Sequence, residues 1–301
     1  MTIQNGTIIS TQTDTNIYHK VSDIARGNIE YVMSRSDLME FDKCPHRWVQ
    51  GYSKTRTDSM SYGNLLDAYL LESGRFDDQF AIAPETYAHE KGDKPWNWNA
   101  TVCREWREEQ HALGKEVIKK QQYEECILAS KVLYSDKMIN GILSTSNFQV
   151  MITAEWKDKD TGLTIPLKCL IDIVPKKGLY LIDFKTCKSA SLGQWPREVY
   201  NWGYHIQAAF YMDMYEAATG EVRNGFAHIL QESYAPYEVG KRLLDEEFIE
   251  LGREKYINAI KKYCECLKSG KFGGYDDYSL YMLKFDGFTS VGPESWMIDK
   301  I

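Results

Sequence analysis

The chain has no apolar run near the ~20 residues needed to cross a bilayer. Its opening stretch, MTIQNGTIISTQTDTN, has neither a basic segment nor the apolar block of a secretion signal. A cytoplasmic protein is expected on both counts. That opening is polar and Thr-rich, so residues 1–30 are expected to form a flexible arm. No CxxC pair occurs among the seven cysteines, at 44, 103, 126, 169, 187, 264 and 266. An odd set without paired spacing fits reduced thiols better than a disulfide framework. Cys264-Glu-Cys266 lacks zinc-ribbon spacing. An excess of positive charge is also missing: the net charge of −7 argues against a nucleic-acid coat protein. It leaves room for an enzyme with its basic residues gathered in one cleft, because local charge decides what a cleft attracts. Internal repeats and low-complexity tracts are absent.

What is present is an ordinary globular composition, 43% hydrophobic and 26% charged, in a chain long enough for a sizeable core. A single domain over 31–301 is expected, with a helical part at 31–140 and a sheet with flanking helices at 145–270. MSRSDLMEFDKCPHRWVQGY reads as a helix capped by Ser34 or Ser36, with Leu38, Phe41 and Trp48 inward. SYGNLLDAYLLESGRF reads as a second helix, with Asp67 beside the stripe of Leu66, Tyr69 and Leu70. Residues 75–100 read as irregular, and 101–138 as helical in composition. From Asn147 the pattern turns to period two. FQVMITAEW, LTIPLKCLIDIVP and LYLIDFKT then read as three strands in a meander, with KDKDTG and KKG as the connections. A helix over 194–219 would place Trp195, Val199, Trp202, Ile206 and Ala209 on one face. RNGFAHILQE reads as a fourth strand, and DEEFIELGREKYINAIKKYCECLKSG as a long helix ending at Gly270.

Acids fall at the ends of these strands. Glu155 closes the first, Asp172 the second, and Asp183 with Lys185 the third. Asp183 and Lys185 are two apart, so they share one face of their strand. A short connection makes the second and third strands antiparallel neighbours, which should bring Asp172 close to Asp183. Converging acids must be paired, metal-bound or shifted in pKa. A cluster of hard oxygens suits magnesium or manganese, and a lysine beside it can orient or deprotonate a water. This is equipment for metal-assisted phosphodiester hydrolysis. Taken alone, DFK is a weak signal, since an aspartate at a strand end is usually a turn or a solvated tip. Lys54, Arg56, Lys168, Lys176, Lys177, Lys188 and Arg197 are basic residues that could hold a DNA backbone around such a site.

LIDIVPKKGLYLIDFKT resembles the D…(D/E)xK core of the PD-(D/E)XK nuclease superfamily. Within it the chain resembles the exonuclease VIII branch, the RecE-like double-strand DNA exonucleases of bacteriophages and prophages, over about 30–240. SRSDLMEFDKCPHRW is similar to the opening helix of that family, and YGNLLDAYLLE to its G-x-x-x-H-x-x-x-L-E segment. YHIQAAFYMDMY carries its Q-x-x-x-Y motif as Gln207 and Tyr211. The resemblance implies an α/β fold with a central mixed β-sheet flanked by helices, a restriction-endonuclease-like core, and a helical N-terminal portion. It implies Asp67, Asp172 and Asp183 as ligands of Mg2+ or Mn2+, Lys185 on the attacking water, and Glu155 as a further acid. Gln207 and Tyr211 would support the lysine or the DNA backbone. It implies an exonuclease acting on double-stranded DNA ends in the bacterial cytoplasm to make single strands for phage recombination. A ring-shaped homo-oligomer and a single-strand annealing protein as partner are implied with it. Two departures stand out. Asp67 occupies the position where the family commonly has histidine, and Leu170 stands where relatives often carry a basic residue. Cys44 with Cys264 and Cys266 is one cysteine short of the cluster that some relatives hold, so no iron–sulfur centre is expected. Two alternatives stay open: a structure-specific or single-strand nuclease, and a catalytically weakened DNA-binding accessory protein on the same fold.

Overall fold

The computed structural model describes residues 3–13, 15–20, 24–52, 58–72, 74–275, 277, 284–285 and 288–289. The chain opens with β1 (Ile3–Ser10), α1 (Thr15–Lys20), β2 (Met33–Ser34), α2 (Arg35–Lys43), α3 (Pro45–Val49) and α4 (Asp58–Leu71). Short elements follow: α5 (Phe76–Gln79), β3 (Phe80–Ile82), β4 (Thr86–Tyr87), β5 (Lys94–Pro95), α6 (Thr101–Ala112) and β6 (Glu116–Ile118). Next come α7 (Lys120–Ser135), α8 (Lys137–Ser144), β7 (Ser146–Lys157), β8 (Thr164–Pro175) and β9 (Tyr180–Cys187). The rest is α9 (Trp195–Trp202), α10 (Tyr204–Thr219), β10 (Gly225–Glu232), β11 (Val239–Leu243), α11 (Glu246–Ser269) and the small pair β12 (Lys284–Phe285) and β13 (Phe288–Thr289).

The central sheet runs in the order β1-β7-β8-β9-β10-β11, with β2 also paired to β8. The meander β7–β8–β9 is antiparallel, β10 is parallel to β9, and β11 is antiparallel to β10. The parallel step needs a crossover, and α9 with α10 supplies it. The β7–β8 turn forms where expected. There the Asp158 carboxylate accepts from the Thr161 backbone at 2.8 Å and its hydroxyl at 2.6 Å, and Gly162 takes a φ of +76°. The result is the mixed α/β sheet with flanking helices that the sequence leads one to expect.

Several elements differ from the expectation. Residues 3–10 are not a loose arm: β1 is an edge strand, antiparallel to β7. Its polar, Thr-rich character suits an edge, where one inward residue such as Ile3 is buried and most others face water. Gly6 allows α10 to lie directly on this strand, since a Cβ there would stand 2.5 Å from the backbone nitrogen of Ala218. The first expected helix is two, α2 and α3, broken at Cys44 before Pro45. The segment 194–219 is also two helices. Gly203, at φ +67°, ends α9 and starts α10, so the apolar face does not continue across it and Trp202 is exposed rather than inward.

The interior forms two apolar clusters. One gathers Leu38, Phe41 and Trp48 with residues of α10, α11, β7 and β8. The other joins residues of α4, α7 and α8 to Ile173, Ile182, Phe184 and Ile229 of the sheet. Strand β9 lies between them, giving Leu181 to the first and Ile182 and Phe184 to the second. Asp183 and Lys185 therefore project on the side of Leu181, the period-two partners of that residue. Among the described residues, no helix is long and apolar enough to cross a membrane.

Candidate active site

Ile173 of β8 pairs with Ile182 of β9. One residue further in this antiparallel register, Asp172 faces Asp183. The backbone N–H of Phe184 donates to Asp172 Oδ2 at 3.2 Å, so β9 itself orients the opposing carboxylate. Lys185 returns along its strand, placing Nζ 2.5 Å from Asp183 Oδ2 and 5.4 Å from the centre of the Tyr204 ring. The two acids and the lysine expected to converge do so.

Helix α10 closes one side. Gln207 Nε2 donates to Asp183 Oδ1 at 2.5 Å, and Gln207 Oε1 accepts from Arg35 of α2 at 2.6 Å. Gln207 thus supports the aspartate rather than the lysine. Tyr211, one turn later, is buried in the first apolar cluster with its ring 6.3 Å from Phe226, and it lies close enough to Arg35 and Asp183 to feel their charges. Helix α4 arrives at the end of β9 through Gly63, where a Cβ would lie 3.1 Å from Thr186 Oγ1. Asp67 follows one turn later, close enough to feel the charges of Lys185 and Asp183. Glu72, buried at the end of the helix, accepts from Gln79 at 2.6 Å and also acts on Asp67.

The electrostatics divide the acids. Burial pushes Asp67 up to about 7, with Lys185 opposing and Asp183 and Glu72 adding. Burial and the neighbouring Asp183 hold Asp172 well above the carboxylate range. Burial would raise Asp183 too, but Lys185 and His228 outweigh it and keep its carboxyl low. Burial disfavours the Lys185 ammonium, yet Asp183 and Asp172 hold its pKa above the ordinary value. Lys185 is therefore held in its charged form by the two aspartates beside it.

Glu155 is not brought to this site. It pairs across the hairpin with Pro166, six residues before Asp172, or ~20 Å along β8. Its carboxylate accepts from Asn5 at 2.7 Å. In an antiparallel hairpin the end of one strand lies beside the start of the next, so Glu155 near the end of β7 stands far from Asp172 near the end of β8, whereas Asp183 meets Asp172 because it lies in the middle of β9 rather than at its end. Lys168 is also displaced from its expected role. It is buried, with Nζ bonded to the Tyr18 carbonyl at 3.0 Å and 4.8 Å from that ring. Lys176 and Lys177 sit at the β8–β9 turn, away from the end of β9 that carries Lys185. Lys188, the residue after β9, and Arg197, in α9, are both exposed. Lys54 and Arg56 lie outside the described residues.

Sequence reasoning missed Arg35, Glu72, Tyr204 and His228. His228 pairs with Asp183 across β9 and β10 and is fully buried among Trp195, Tyr204 and Phe226. A histidine inside the apolar run GFAHILQE was the available signal. Arg35 offered none, because it follows a helix cap where charged residues are common.

Among the described residues, no three His, Cys, Asp or Glu side chains stand close enough to hold a metal by themselves. Mg2+ does not require such a cage, since it commonly takes one or two carboxylates, with waters and phosphate oxygens completing its shell. Asp172 and Asp183 supply that pair. With Asp67 they place three carboxylates around one ammonium, and two of the three are shifted toward the neutral form. A divalent cation would relieve this excess of buried negative charge, so the donor set fits one.

No curated protein matches this chain. A crystal structure from Eubacterium rectale, described as a "Putative exonuclease", aligns with a TM-score of 0.57 and 15% identity, over 95% of this chain and 97% of that one. Such a likeness speaks to the fold, and the fold it shares is the one that sets Asp172, Asp183 and Lys185 together. The family model of a PDDEXK-like domain of unknown function (DUF3799) matches residues 34–276, and the chain belongs to that family.

Proposed function

We propose that the protein is a magnesium-dependent deoxyribonuclease acting as an exonuclease on double-stranded DNA ends. The observation that carries the reading is the patch where Asp172 faces Asp183 and Lys185 Nζ lies 2.5 Å from the latter. Asp172 and Asp183 would hold Mg2+, with Asp67 adding negative charge beside them, and the cation would supply a water of lowered pKa and neutralise charge on the phosphate. The chain's own residues do the positioning. The charged Lys185 orients the attacking water and offsets developing negative charge. Gln207 and Phe184 N–H hold the two aspartates in place. Lys188 and Arg197 would meet the DNA backbone beside the site.

The preference for ends rests on the sequence resemblance to RecE-like exonucleases, and the description of the Eubacterium rectale protein as an exonuclease supports the same direction. Phage recombination, a ring-shaped homo-oligomer and a single-strand annealing partner extend the reading on the resemblance alone. The test compares linear and closed-circular duplex with Mg2+, using wild type and Lys185→Ala. Linear DNA alone should be degraded, and the variant should be slower by ~100-fold or more. Equal cutting of circles would replace the exonuclease reading with a structure-specific or single-strand nuclease. Asp67 in place of histidine favours a second reading, a weakened DNA-binding accessory protein. In that case wild type and variant would be equally inert.

A further inference from the structure

Gln207 lies between two groups that decide which way its amide points. Arg35 Nη2 donates to its oxygen at 2.6 Å, and its nitrogen donates to Asp183 Oδ1 at 2.5 Å. Turned the other way, the amide would set its NH2 against a guanidinium that has only donors, and its oxygen against a carboxylate that only accepts. Asp183 is fully buried and Gln207 is 5% exposed, so water cannot readily stand in for either partner. Arg35 is itself well anchored. It is the first residue of α2, after Ser34, whose capping box with Asp37 closes the helix start. Ser34 also belongs to β2, which pairs with β8 at Leu167 and Lys168. The orienting group is thus tied to the sheet that carries Asp172, while the group it orients rides on α10.

We propose that Arg35 is a positioning residue of the site: acting through Gln207, it fixes Asp183 Oδ1 while Lys185 holds Oδ2, and so sets the carboxylate for cation binding opposite Asp172. Its effect on activity rests on the nuclease reading above, whereas its effect on cation binding does not require DNA. A guanidinium in a nuclease cleft has an obvious competing role, direct contact with a DNA phosphate, and the two roles give different signatures. A contact with phosphate acts independently of Gln207 and appears in KM. A relay has no effect left once Gln207 is gone.

The experiment is a double-mutant cycle of Arg35→Met, Gln207→Met and the pair, with Arg35→Lys beside them. The readouts are kcat and KM on end-labelled duplex, and Mn2+ affinity by calorimetry without DNA. Each single substitution is expected to lower kcat and Mn2+ affinity by ~10–100-fold. The double variant should be no worse than the poorer single, and Arg35→Lys, which keeps a donor for Gln207 Oε1, should recover much of the loss. Additive losses in the double variant, or a rise in KM with kcat and Mn2+ affinity unchanged, would overturn the relay. Should Arg35→Met fail to fold, Arg35→Ala takes its place in the cycle and the same comparison decides. If wild type cuts DNA in a Lys185-dependent way and the cycle is additive, the relay alone fails. If DNA is not cut, the nuclease reading fails and the Mn2+ cycle still decides. A wild type that neither cuts DNA nor binds Mn2+ overturns both.

Discussion

At the scale of the residue, three carboxylates share one ammonium, and Asp67 is the one that chemistry can move. Its pKa is pushed up to about 7 from an ordinary 3.8, first by burial. Between these values the folded protein binds more protons at this position than the unfolded chain does. The contribution of Asp67 is therefore fully present below the lower value and is lost as pH rises through the upper one. Asp67→Asn should raise the Tm relative to wild type at pH 8 in EDTA and leave it close to wild type at pH 4. Adding Mg2+ at pH 8 should raise the Tm of wild type more than that of the variant, because the cation stabilises the charged carboxylate only where one exists. Calorimetric scans at the two pH values check both statements. A variant with no advantage at pH 8 would mean that Asp67 is not strained by its surroundings.

At the scale of the element, the site depends on helices that come unusually close to their neighbours. Gly252 of α11 faces the backbone of α10 so tightly that an added Cβ would lie 2.0 Å from the His205 carbonyl oxygen. Gly252→Ala must push the two helices apart, at a cost of ~1–3 kcal/mol, and thermal unfolding should show it as a drop of several degrees. Gly63 is less severe. The 3.1 Å approach to Thr186 Oγ1 asks for a shift of only tenths of an ångström. Because Asp67 rides one turn further along the same helix, Gly63→Ala should cost little stability and lower the cleavage rate by roughly 3–10-fold. A loss of stability without loss of rate would place Asp67 outside the working site.

At the scale of the whole molecule, acid tolerance is set by buried histidines as well as by carboxylates. Burial lowers His228 to about 4 and also lowers His205. Unfolding lets both take up protons near the ordinary 6.5, so their contribution is present above that value and is lost as pH falls below it. His228→Phe keeps a ring among Trp195, Tyr204 and Phe226 and removes the titration. The urea midpoint of this variant should fall less than that of wild type between pH 7 and pH 5. Asp67 has the opposite slope in part of this window but is common to both proteins, so the comparison cancels it. An equal fall in the two would show that His228 is not held neutral by the fold.

The sequence by itself determined the elements whose causes are local. Period-two alternation and turn chemistry defined the meander β7–β8–β9, and the spacing of Asp183 and Lys185 put both on one face of β9. The antiparallel pairing of β8 with β9 was enough to bring Asp172 opposite Asp183. Only the tertiary structure decided the rest. An acid at the end of β7 cannot meet one at the end of β8, because hairpin register runs the strands in opposite directions, and Glu155 is thereby excluded. Gly203 turns what looked like one helix into two, a left-handed residue that apolar periodicity does not register. The N-terminal stretch becomes a strand only because β7 offers it an edge. Arg35, Glu72 and His228 reach the site from three distant parts of the chain, and nothing in their local sequence says so. Strand pairing and helix approach place them, and these are set by distances across the fold rather than along the chain.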